Sequence, residues 1–110
     1  MYFKLDENKK VVKSSLEEWS NFIEGRLPTN HRHVGDDIID GKRISTVFIG
    51  LCYDFGLSGM PRVFETMVFE GDKSLDYQER YFTWEDAEDG HLRAIEWVKN
   101  GCKDYENTIA

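Results

Sequence analysis

The sequence is poor in cysteine, in proline and in positive charge, and each shortage removes a class of protein. Two cysteines, Cys52 and Cys102, stand fifty residues apart with no CxxC pair. That spacing offers neither a zinc knuckle nor a dithiol redox motif. Cys52 falls in an apolar run and reads as a small buried side chain. Lysine and arginine total 14 against 21 acidic residues, a formal net charge of −7. Non-specific nucleic-acid binding requires clustered basic residues, so this balance argues against it. No apolar run reaches the roughly 20 residues that span a bilayer. The opening residues, MYFKLDENKK, lack the apolar stretch of a secretion signal. A cytoplasmic protein, without membrane contact, is therefore expected.

Motif chemistry is also sparse. The glycine-rich stretch at residues 54–61, DFGLSGMP, lacks the GK[ST] ending of a phosphate loop. Ser58 has no strand–turn–helix context for a nucleophile. Asp36, Asp37 and Asp40 do not have EF-hand spacing. No cofactor signature is present, and neither a catalytic group nor a metal site is assigned.

What is present is a compact domain's worth of apolar and aromatic residues. The 110 residues are 40% hydrophobic and 14% aromatic, enough for a core without metals or disulfides. Residues 1–101 read as a single α+β domain, with residues 102–110 as a tail. The organising stretch is residues 43–69, two apolar runs joined by a glycine-rich connection. Residues 43–53 alternate between two apolar faces, which predicts a central strand covered on both sides. One cover would be helices; the other would be a partner copy or a curled part of the sheet.

Around that centre the chain predicts the order β-α-β-β-β-β-α. Residues 2–5 form a short strand that Val11 and Val12 extend or pair with. Ser15-x-x-Glu18 is a capping box, and Leu16, Trp19, Phe22 and Ile23 give the following helix a buried stripe. Residues 31–39 lead to Asp40-Gly41, a pair suited to a type I′ hairpin. Residues 62–70 and 77–83 supply two more strands. Thr83 caps a last helix whose stripe is Trp84, Ala87, His91, Ala94, Ile95 and Val98, ending at Asn100-Gly101. Short turns imply a mostly antiparallel sheet of four to five strands with two helices on one face.

One resemblance stands out. Ser45-Thr46-Val47-Phe48, Gly50-Leu51, Phe64-Glu65-Thr66-Met67-Val68-Phe69, Glu79-Arg80-Tyr81, Thr83-Trp84, Ala87 and Gly90-His91 follow one another in order. This series resembles a family of small bacteriophage and prophage proteins, over about half the chain. Relatives often carry Asp-His after the Gly-Leu pair, where this chain has Cys52-Tyr53. The resemblance implies a bacteriophage setting, within the host cytoplasm, and by itself no defined chemistry.

The candidate site residues come from the strands. Glu65 lies among Val63, Met67 and Phe69, so it is either a desolvated functional carboxylate or an ion pair with Arg62 or Arg80. His31 and His33 share a strand face, as a solvated strand end or half a chelate. Arg43, Arg62, Arg80 and His33 are candidate phosphate contacts. Tyr53, Phe55 and Tyr81 are candidates for stacking on a base. His91 reads as a core histidine bonded to a backbone or carboxylate group. These residues favour a non-enzymatic accessory protein that binds and sequesters a small phosphorylated ligand. A host nucleotide immune signal is the concrete version, which would make the protein a counter-defence factor. Its expected assembly is a homo-oligomer. Two alternatives stand beside it: an acidic inhibitor of a host protein, and a small hydrolase using Glu65 and a histidine.

Overall fold

The computed structural model describes residues 1–25, 32–52 and 61–102. The elements are β1 (Tyr2–Leu5), β2 (Val11–Ser14), α1 (Leu16–Ile23), β3 (His33–Ile39), β4 (Lys42–Phe48), β5 (Phe64–Glu70), β6 (Lys73–Tyr81) and α2 (Trp84–Lys99). The expected α+β class is what the chain adopts. Its strands form a four-stranded antiparallel sheet, β3-β4-β5-β6, and a separate antiparallel pair, β1-β2. Val11 and Val12 belong to β2, which pairs with β1.

Local signals explain the element ends. Both halves of the capping box form at Ser15 and Glu18. The β3–β4 hairpin turns at Asp40 (φ 51) and Gly41 (φ 77), the two positive values that a type I′ turn needs. Thr83 accepts the Asp86 amide at the start of α2, and the helix ends at Asn100 as expected.

Three expectations are corrected. Leu16 is 56% exposed rather than buried. The covered face of α1 centres on Phe22, and Leu16 lies about a third of a turn away from it. The strand expected over residues 43–53 stops at Phe48. There Gly50 turns the chain at φ 67, and a Cβ on it would meet the Phe3 carbonyl oxygen at 2.6 Å. Trp19 Nε1 donates to the Ile49 carbonyl at 3.0 Å, so this corner joins α1 to the sheet. Finally, β6 starts at Lys73, not Tyr77. Gly71 (φ 60) and Asp72 make a tight turn, and a register shift between Met67 and Phe69 disturbs the simple alternation.

The sheet's inner face carries Ile44, Thr46, Phe48, Phe64, Thr66, Val68, Tyr77 and Tyr81, all buried. α2 packs on it, and Phe22 of α1 meets Phe48 edge-on at 5.5 Å. Both described helices therefore lie on one face. The outer face, with Ser45, Val47, Glu65, Met67 and Phe69, is half-buried, and no described helix covers it.

The inner core has two apolar clusters. One holds Phe3, Leu5, Phe22, Phe48, Phe64, Tyr81, Trp84 and Ala87. The other holds Ile44, Val68, Tyr77, Ala94, Trp97 and Val98. A polar layer runs between them. Thr46 pairs with Gly35 on one side and Thr66 on the other, and Thr66 pairs with Glu79. His91 descends from α2 onto this row. Its ring occupies the space above Gly35, where a Cβ would meet ring atoms at 2.7 Å.

Gly90 lets α2 approach the sheet, because a Cβ there would overlap the Tyr81 ring. Alanine would gain up to about 1 kcal/mol of helix propensity. Forced overpacking costs about 1–3 kcal/mol. Gly90→Ala should therefore lower the unfolding free energy by up to about 2 kcal/mol, read from urea midpoints at unchanged slope.

Candidate functional site

The outer face, which no described helix covers, is where exposed side chains of mixed chemistry gather. Cross-strand pairing arranges them in rows. One row is Ile38 of β3, Arg43 of β4 and Phe69 of β5. Another is His33, Val47, Glu65 and Arg80. The alternation of each strand sends these side chains away from α2.

At the hairpin end of this face lies a hollow of about 220 Å³, lined by Ile38, Gly41, Arg43, Phe69, Gly71 and Asp72. The two glycine turns form its lip. Asp36 grips Arg43 bidentately, accepting from Nε at 2.9 Å and from Nη2 at 2.8 Å. The bond from Arg43 holds the Asp36 carboxyl below its ordinary range, against the opposing effect of partial burial. The same pair raises Arg43 further above its ordinary value. The guanidinium is thus fixed in orientation beside an aromatic ring.

Glu65 is the ion pair that sequence offered as one of its two readings. Its Oε2 accepts from Arg80 Nε at 3.0 Å and from Gln78 Nε2 at 2.6 Å. His33 is on the same face, but the Val47 strand lies between it and Glu65. The Glu65 carboxylate takes its side-chain bonds from Arg80 and Gln78 instead. His91 projects from the opposite face. Among the described residues no histidine bonds Glu65, and His31 lies outside them.

Tyr81 is corrected as a stacking residue. It is 5% exposed, turned inward beneath Gly90, and its hydroxyl bonds Thr66 and Glu79. Arg62 is exposed just before β5, away from the hollow's lining. Tyr53, Phe55, His31 and the connection at residues 54–60 lie outside the described residues. Asp36 and Asp37 point to opposite faces, the first to Arg43 and the second to His91. Among the described residues no three His, Cys, Asp or Glu side chains gather as metal ligands would.

Of the candidate residues, the structure brings Glu65, Arg80, His33 and Arg43 onto one face, and only Arg43 reaches the hollow. Ile38, Phe69 and Asp72 were missed. What brings them together is the meeting of two glycine turns at one end of the sheet, which depends on the pairing of the strands. No described helix is long and apolar enough to cross a membrane. Comparison with protein families, curated proteins and solved structures gives no match.

The Asp36 carboxyl provides a pH test. Its folded value lies below the usual 3.8, so its contribution is present above that value and is lost as pH falls through the folded one. Arg43→Ala removes the cause. The stability difference between wild type and Arg43→Ala should therefore be largest near neutrality and shrink in strong acid, as followed by denaturant midpoints across pH.

Proposed function

We propose that this chain is a non-enzymatic binding protein of bacteriophage type, and that the hollow at Arg43 and Phe69 receives part of a small phosphorylated ligand. The observation that carries the reading is the fixed guanidinium beside an aromatic wall. Asp36 occupies Nε and Nη2; the Nη1 amino group is the donor we assign to a phosphate oxygen. Phe69 and Ile38 supply the apolar surface for a planar ring.

Magnitudes limit the ligand. Ligand clefts usually enclose about 300–1,000 Å³, so a hollow of about 220 Å³ takes one ring or one phosphate. The rest of the ligand would lie along the outer face, toward Arg80 and Glu65. Asp36 and Asp72 repel an anion, which offsets part of the attraction of Arg43. Ring contacts must then contribute as much as charge. In a phage setting, sequestration of a host nucleotide signal fits this chemistry.

A protein partner is the second reading. Ile38 is 73% exposed on the same face as half-buried Val47, Met67 and Phe69, and the net charge of −7 suits a basic surface.

Isothermal titration against cyclic nucleotides and ADP-ribose-type nucleotides tests the first reading. One member should bind, and Phe69→Ala and Arg43→Ala should each weaken it by roughly tenfold or more, as expected for a stacking contact or a charged hydrogen bond. Silence across the panel discards the nucleotide reading.

A further inference from the structure

Several acidic side chains along the sheet are engaged by the protein itself. Asp36 holds Arg43, Glu65 accepts from Arg80 and Gln78, and Glu79 accepts from Arg93 and Tyr81. Inside the core, Asp37 meets His91 at 2.6 Å, His91 meets Thr46 at 2.7 Å, and Thr46 meets Thr66 at 2.5 Å. Asp72 differs from these. It is exposed in the β5–β6 turn and lines the hollow. No hydrogen bond or ion pair joins its side chain to another described residue.

The hollow therefore offers three kinds of contact in a set order. Gly41, Gly71 and Asp72 lie at the turn end. One row inward, by register, come Ile38, Arg43 and Phe69. Phe69 and Ile38 suit the face of a planar ring. A carboxylate at the lip can only accept hydrogen bonds. Asp36 and Asp72 together outweigh the single guanidinium, so the hollow suits a neutral ring that carries donors better than it suits a phosphate.

We infer that the hollow is a guanine subsite, in which the base lies against Phe69 and Ile38 and Asp72 accepts from its N1–H and its exocyclic amino group. This rests on the nucleotide reading proposed above and names the base. Guanine presents two adjacent donors on its Watson–Crick edge, so both carboxylate oxygens are used, as in a bidentate ion pair. Adenine sets an acceptor, N1, beside its amino group, and one carboxylate oxygen would then face a lone pair. Cytosine has the same fault. Uracil has one donor between two carbonyls. A site built around a buried or ring-stacked hydrogen-bonding group rejects such mismatches because the group is left unpaired. Arg43 stands on the side of the base away from the lip. Its Nη1 amino group keeps the phosphate, and the rest of the ligand runs toward Arg80.

Isothermal titration with the 3′,5′-cyclic mononucleotides of guanine, hypoxanthine, xanthine and adenine tests the assignment. The guanine form should bind at least roughly tenfold more tightly than the adenine form, the scale of one hydrogen bond to a charged group. Hypoxanthine keeps N1–H but lacks the amino group, and should fall between them. Asp72→Asn offers one acceptor and one donor, which match the N1–H and C2 carbonyl of xanthine. That variant should lose roughly tenfold or more for the guanine form and bind the xanthine form more tightly than wild type does. Equal binding of the guanine and adenine forms overturns the inference, whether or not the variant folds. So does unchanged guanine binding in a folded Asp72→Asn chain, and so does silence with all four. If an ADP-ribose-type nucleotide then binds and Phe69→Ala weakens it, the nucleotide reading stands and the guanine assignment alone falls.

Discussion

The structure depends on a row of hydrogen bonds that crosses the middle of its own core. Four strands contribute Gly35, Thr46, Thr66 and Glu79 to one line, and α2 lays His91 across it. Apolar packing above and below is generous but unspecific: two clusters of aromatic and aliphatic residues would tolerate some sliding of the helix. Buried hydroxyls and an imidazole tolerate little, because an unpaired one costs about as much as a typical mutation. Seating α2 with His91 between Asp37 and Thr46 therefore fixes the helix against the sheet, and Gly35 and Gly90 clear the space for it.

That seating decides which face of the sheet the described helices leave open. A four-stranded sheet has two faces, and the described helices occupy one. Arg43, Phe69 and Ile38 on the other face gain a defined geometry because β4 and β5 are held rigidly from behind. Asp36 and Asp37, adjacent in sequence, divide the work: one orients the guanidinium at the outer hollow, the other closes the polar path inside. The strand thus links the outer face to the internal network through a single pair of residues.

Much of the fold was legible because local chemistry decided it. The capping box at Ser15, the Asp40-Gly41 turn, the Thr83 cap and the helical stripe from Trp84 to Val98 each need only neighbours in sequence. The site was less legible. Thr46 and Thr66 look like ordinary members of apolar strand faces, and nothing short of the register across four strands shows that they touch. Tyr81 looked like an accessible ring because its inward turn depends on its pairing with Phe64 on the buried face. Glu65 was legible as a partnered carboxylate, since Arg80 is a natural opposite on the next strand. The hollow at Phe69 was not, because it requires two hairpin turns to meet at one end of the sheet.

The most direct test is whether the polar row acts as one connected unit. A double-mutant cycle on Thr66→Val and His91→Gln, two positions joined through the Thr46 hydroxyl, measures this in urea unfolding. A connected row predicts a coupling of about 1 kcal/mol, within the range seen for residues of one network. Additivity to within about 0.3 kcal/mol, the behaviour of independent sites, would contradict it.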